Sequence, residues 1–104
     1  MSYQVYRTEL FDRKLVSFSE NFKSQVDRIE EQLKENPYVG DPLGVRWLRE
    51  KKLDVFRMYY LIYEDLNAVY IITLSGKKDQ QKVINTIRIL LEQYREEMEQ
   101  RIKN

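Results

Sequence analysis

Arg57, Lys77 and Lys78 stand at the two ends of one apolar, tyrosine-rich stretch, and Lys51 and Lys52 lie just ahead of it. Cations gathered in this way suit one chemistry above others, the binding of phosphate and the stabilisation of charge that develops on it. Arginine brings a planar fork of donors and lysine a point charge. Histidine and cysteine are both absent. That removes the commonest general base, thiolate chemistry and zinc–sulfur sites, so any catalysis falls to Lys, Arg, Tyr, Asp or Glu. The carboxylates form no ligand pattern: Glu64 and Asp65 are neighbours on a turn, and Glu30, Glu31 and Glu35 lie on a solvated helix face. No glycine-rich phosphate loop is present. Neither a metal nor a cofactor is expected.

Overall charge is uninformative, with 18 Lys and Arg against 17 Asp and Glu. Its distribution says more. Arg46, Arg49, Lys51, Lys52 and Arg57 face only Glu50 and Asp54 in their window, and Lys77, Lys78 and Lys82 face only Asp79. Each of these residues also has a plain structural use. Arg57 can pair with Glu50 or Asp54, the lysines can guard strand edges against pairing, and Tyr59, Tyr63 and Tyr70 can either stack on bases or fill the space between sheet and helix. Trp47 reads as an anchor against the core or a partner.

The cationic residues must be positioned by the segment Val45 to Lys82. Within it Val55 to Tyr63 (VFRMYYLIY) and Val69 to Leu74 (VYIITL) are built from residues that fit a pleated, half-buried surface. Glu64 to Asn67 supply turn chemistry between them, which predicts a hairpin. Alternation puts Phe56, Met58, Tyr60 and Ile62 on one face, the expected core, and Arg57, Tyr59, Leu61 and Tyr63 on the other. In such a hairpin Arg57 begins the first strand and Ser75 ends the second, so the two stand side by side and Lys77 and Lys78 follow close to Arg57. Ser75 and Gly76 are expected to break the strand.

Around this hairpin, Tyr3 to Arg7 alternates and suits an edge strand. Thr8 can cap a short helix from about Glu9 to Phe18. Ser19 can cap a second in which Phe22, Val26, Ile29 and Leu33 form one apolar stripe, ended by Asn36 and Pro37. Tyr38 to Gly44 is a turn-rich loop, and Val45 to Arg49 enters the meander. From Val83 onward Ile87, Leu90, Leu91, Tyr94 and Met98 repeat helically, predicting one long C-terminal helix to about Lys103. Its stripe runs farther than a small sheet is expected to cover, which suggests self-association or a partner contact. The result is an α+β chain of order β-α-α-β-β-β-α, with helices on one side of a small, twisted, mainly antiparallel sheet. Residues 1–104 read as a single domain. No apolar run approaches the roughly 18 residues of a membrane span and the N-terminus has no secretory pattern. A soluble, cytoplasmic protein is expected.

This order resembles the RelE/ParE superfamily of toxins from toxin–antitoxin pairs over most of the chain, from Tyr3 to about Leu91. DVFRMYYLIYEDLNAVYIITLSGKK is similar to that family's aromatic and arginine opening a strand, tyrosine-rich continuation, acidic turn, apolar strand, then glycine and basic residues. NPYVGDPLG resembles its helix-to-strand connection. For RelE-like members the resemblance implies metal-free cleavage of mRNA in the ribosomal A site by attack of the 2′-hydroxyl on the adjacent phosphate, with basic residues in place of histidines. Arg57 matches the strand arginine that stabilises the phosphate. Lys78, or Lys77 one residue earlier, matches the basic residue after the glycine. Lys51 and Lys52 are nearest to the upstream lysines of proton transfer and backbone binding. Arg46, Arg49, Lys51, Lys82 and Tyr59 would complete an RNA-binding surface. Where RelE-type enzymes carry a tyrosine near the start of the last helix, this chain has Ile84 and Asn85.

Three function classes follow from the resemblance: a ribosome-dependent endoribonuclease toxin, a ParE-like toxin that inhibits gyrase by binding, and a catalytically silent binder. The implied partners are a cognate antitoxin, the ribosome and mRNA.

Overall fold

Two turns of chain chemistry set the first helices. In the computed structural model, which describes residues 2–104, the Thr8 hydroxyl accepts the amide of Phe11 at 3.0 Å and opens helix α1 (Glu9–Leu15). Ser19 does the same for Phe22 at 3.1 Å and opens α2 (Glu20–Glu35). Each side-chain oxygen satisfies an amide that has no partner inside the helix. The stripe Phe22, Val26, Ile29 and Leu33 is buried along its length, each side chain contributing about 1.5–3 kcal/mol on removal from water. α1 is shorter than its periodicity suggests, because Phe18 leaves the helix to stack on Phe22 with centroids 4.3 Å apart.

Five strands form one sheet in the order β1-β5-β4-β3-β2, where β1 is Gln4–Arg7, β2 Asp41–Pro42, β3 Leu48–Leu53, β4 Phe56–Tyr63 and β5 Ala68–Gly76. β1 lies at an edge and runs parallel to β5, and the remaining pairs are antiparallel. The hairpin β4–β5 turns through a 3₁₀ turn (Glu64–Leu66) and Asn67, whose φ of 50° is left-handed, a conformation asparagine tolerates better than most residues. The two-residue strand β2 is an addition to the expected order. Ser75 and Gly76 continue β5 rather than ending it, and the break comes at the following 3₁₀ turn, Lys77–Asp79.

Helices cover both faces of this sheet, not one. Met58, Tyr60, Ile62, Val69, Ile71 and Leu74 pack under α1 and α2. Tyr59, Leu61, Tyr70 and Ile72 pack under α3 (Gln80–Ile89) and α4 (Leu91–Lys103) through Ile87, Tyr94 and Met98. A register shift at Tyr59/Tyr60 changes which side chains of β5 meet each layer. Tyr59 pairs with Thr73 and Tyr60 with Ile71, so Ile72 is the extra residue of a bulge. The alternation of β5 restarts there, which keeps Leu74 on the first face.

The expected single C-terminal helix is two. At Leu90 the backbone leaves helical geometry (φ −100°, ψ 12°) and its amide is shared between the carbonyls of Thr86 and Ile87. The junction turns α4 back onto the sheet, where Met98 is fully buried. The stripe that suggested self-association is therefore covered within the chain. Among the described residues no helix is long and apolar enough to cross a membrane.

Candidate functional site

Strand register builds the site. Lys52 pairs with Arg57 across β3 and β4, and Arg57 pairs with Ser75 across β4 and β5. The three residues form one row across the sheet, roughly 10 Å from Lys52 to Ser75 at normal strand spacing. Alternation from Tyr59 and Leu61 puts this row on the face covered by α3 and α4. Immediately after Ser75 and Gly76 comes the 3₁₀ turn that carries Lys77 and Lys78, both exposed. The side-by-side placement of Arg57 and Ser75 expected from hairpin length is the one observed.

Arg57 is fixed from behind. Its Nε donates to Glu50 Oε2 at 3.3 Å, and the other carboxylate oxygen accepts from Gln80 Nε2 at 2.7 Å. Both side chains of the ion pair are largely buried, 12% exposed for Arg57 and 6% for Glu50. Arg57 thus takes the pairing with Glu50 that was one of its two readings, but only through Nε. Its two terminal nitrogens have no protein partner among the described residues. A guanidinium held at one edge with its outer fork open is arranged to meet a phosphate or carboxylate from outside.

The other basic candidates divide. Lys52 is exposed and in the row. Lys51, opposite Met58, is on the reverse face and does not join Arg57. Arg49 is committed to the backbone, donating from Nη2 to the carbonyls of Gly40 (2.8 Å) and Tyr38 (3.0 Å) and from Nη1 to that of Arg46 (3.0 Å). It ties the loop after α2 to the sheet and leaves no fork for RNA. Arg46 lies beyond the far end of β3, 3.2 Å from Glu64 and over the Tyr38 ring, roughly 20 Å from Lys52 along an extended strand. Lys82 projects from the first turns of α3 and is exposed.

Tyr59 does not serve as a stacking platform. Its ring is fully buried and its hydroxyl is 2.9 Å from Ser75 Oγ. Burial raises its pKa, with the Ser75 hydrogen bond opposing, so the phenol stays neutral. Tyr70 is likewise buried, and Tyr63 lies partly buried against the same cluster. Of their two readings, filling the gap between sheet and helix is the one the structure contains. Trp47 remains part-exposed at 39%.

Gln80 is the site residue that no sequence signal brought forward, while Glu50 was read only as one pairing partner of Arg57 and Ser75 only as its neighbour. Glu50 sits in LREKKL, where Leu48, Glu50 and Lys52 alternate onto one face. That spacing was a usable signal, but its meaning depended on α3 covering the face. Among the described residues, no three carboxylates come together as a metal site would need.

Comparison with known proteins places the fold. No family model matches the sequence, and no curated protein matches it. Solved structures match well. A double mutant of the Escherichia coli toxin RelE in the free state superposes with a TM-score of 0.68 at 18% identity, covering 82% of this chain and 93% of that one. The RelBE2 toxin–antitoxin complex of Mycobacterium tuberculosis contains a chain that matches with a TM-score of 0.65 at 21% identity, covering 74% of this chain and 100% of that one. A chain of the archaeal RelE–RelB complex of Pyrococcus horikoshii gives 0.65 at 18% identity, covering 74% and 97%. The chain has the RelE fold.

Proposed function

We propose that this protein is the toxin of a toxin–antitoxin pair and acts as a ribosome-dependent mRNA endoribonuclease. The observation that carries the reading is the open fork of Arg57, braced by Glu50 through Nε and flanked in the row by Lys52 and, past Ser75, by Lys77 and Lys78. Cleavage through a 2′-hydroxyl requires a proton acceptor for that hydroxyl, cations at the phosphorane oxygens and a proton donor for the departing 5′-oxygen. The Arg57 fork takes the phosphorane oxygens, since only its outer nitrogens are open. Lys52, as its uncharged amine, stands on one side of the phosphate to accept the 2′-hydroxyl proton, and the ammonium of Lys77 or Lys78 on the other gives a proton to the leaving 5′-oxygen. Glu50 has both oxygens occupied and serves to position Arg57. Lys82 stands where this cationic border meets the first turn of α3 and adds to the RNA-contacting surface there. The antitoxin would cover this border, and the reaction takes place in the cytoplasm, where translating ribosomes are.

Primer extension on translating ribosomes tests this directly. New mRNA ends in the A site with wild-type protein, lost when Lys77 and Lys78 are both changed to Ala, are the expected result. Intact mRNA at stoichiometric toxin would overturn it. The two lysines are the right variants because they are exposed, so their removal leaves the core alone.

One observation favours a second reading, a ParE-like inhibitor of gyrase that needs no catalytic groups. Ile84, at the place where RelE-type enzymes carry a tyrosine, packs against the core of the second face and offers no polar group to the row. Gyrase inhibition on expression, unaffected by the Lys77 and Lys78 changes, would establish that reading instead.

A further inference from the structure

β1 pairs only with the first half of β5, ending opposite Ile71. Beyond it α1 closes the edge: the Thr8 hydroxyl donates to the carbonyl of Ile72 at 2.5 Å and Lys14 Nζ to that of Leu74 at 3.1 Å. Between α1, β5 and α3 this leaves a cavity of about 240 Å³. Its apolar lining includes Leu10, Val83 and Ile87, and its polar lining includes Lys14, Thr73, Ser75, Asp79 and Lys82. Thr73 is 5% exposed, and its hydroxyl is buried with no hydrogen-bond partner. A buried hydroxyl left without a partner costs free energy unless something else supplies one. Besides Lys14, whose ammonium is spent on the Leu74 carbonyl, the cavity has the Lys82 ammonium and the Asp79 carboxylate one helical turn apart. Neither side chain is paired with the other or with any described residue.

We infer that this cavity is a base-reading subsite that takes one nucleobase of the RNA, preferring the keto bases guanine and uracil. The inference rests on the proposed RNA cleavage and extends it. Position supports it first: Ser75 belongs to both the Arg57 row and the cavity wall, so a phosphate on the Arg57 fork brings a flanking base to the opening. Chemistry supports the preference. Guanine and uracil each present a carbonyl oxygen beside a ring N–H, an acceptor next to a donor. Lys82 donates to the first, Asp79 accepts from the second, and Thr73 can do either. Adenine and cytosine carry the reverse order, an amine beside an unprotonated ring nitrogen, and seated the same way would put a donor against the lysine and an acceptor against the carboxylate. The apolar lining packs the face of the ring.

Binding to the labelled full-length chain, followed by NMR, tests the inference with 2′-O-methyl dinucleotides, which cannot be cleaved. GpG and UpU are expected to move the resonances of Thr73, Val83 and Ile87 and to bind about tenfold more tightly than ApA and CpC. Thr73→Val, which keeps the shape and removes the hydroxyl, and Asp79→Asn should each narrow that gap. Guanosine and uridine without phosphate form the second arm. Shifts at Thr73 from these nucleosides, with no shift at Arg57, Lys77 or Lys78 from any dinucleotide, would keep the subsite and sink the cleavage reading. Equal affinity for the four dinucleotides, or shifts confined to Arg57, Lys77 and Lys78, would overturn the subsite.

Discussion

The two faces of the sheet are built from the same strands and differ in what they bury. Under α1 and α2 the layer is apolar: Phe18, Phe22 and Phe56 form an aromatic cluster with centroids 4.3 to 5.6 Å apart, and Leu33, Met58 and Ile71 fill the rest. Its phenols include Tyr60, which bonds to the carbonyl of Pro37 at 2.7 Å, and Tyr38, whose buried hydroxyl has no partner. Under α3 and α4 the layer carries polar work at every level. Glu50 braces Arg57, Tyr59 bonds Ser75, Tyr70 donates to Glu97 at 2.7 Å, and the hydroxyls of Thr73 and Tyr63 have no partner. The first face is the more apolar of the two, and the second carries more of the groups that can meet a ligand.

Breaking the first face should cost most. Phe11→Ala and Leu33→Ala each remove a fully buried side chain, and each should lower unfolding free energy by about 3–5 kcal/mol in denaturant titrations. Cleavage per folded molecule should not change. Next comes Glu50→Ala, which leaves the largely buried Arg57 cation unpaired. A loss of about 3 kcal/mol is expected, here with a fall in cleavage because the fork is no longer oriented.

Alkaline pH should separate the faces by a different route. Burial raises the pKa of Tyr59, Tyr63, Tyr70 and Tyr94 on the second face and of Tyr60 alone on the first. Above the ordinary phenol value the unfolded chain releases these protons while the folded chain keeps them. The folded state then binds more protons, so stability is full below about pH 10 and falls as pH rises beyond it. Tyr63→Phe and Tyr70→Phe together should flatten that fall more than Tyr60→Phe, measured as melting temperature against pH. The smallest stability effect belongs to Lys77→Ala with Lys78→Ala, within about 0.5 kcal/mol, despite the expected loss of cleavage.

The parts of this fold legible in sequence are those whose apolar period is complete within one element. The stripe of α2 and the hairpin β4–β5 are of that kind, and the hairpin's length alone set Arg57 beside Ser75. The break at Leu90 was hidden because Leu90 and Leu91 continue the spacing of Val83, Ile87, Tyr94 and Met98 across it, with no glycine or proline to mark the turn. The bulge at Ile72 is equally silent, since isoleucine and threonine are ordinary strand residues. Two-sided coverage is set by where α3 crosses the sheet and carries no local signal. Glu50 was legible as a partner of Arg57 but not as a buried brace, because in a lysine-rich strand it reads as solvated until α3 is known to lie over it. Arg49 and Tyr59 have the residue types of an RNA surface, and only tertiary contacts show the first spent on backbone carbonyls and the second buried.

In the proposed reaction the outer fork of Arg57 carries the chemistry while Nε only anchors it. Arg57→Lys tests this most directly, because it keeps a cation for Glu50 and removes the two open nitrogens. With folding verified by an unchanged melting temperature, single-turnover cleavage of ribosome-bound mRNA should fall at least about a hundredfold, the size of effect seen when one preorganised donor to developing charge is lost. Cleavage at the wild-type rate would contradict the account, since a point charge would then serve as well as the fork.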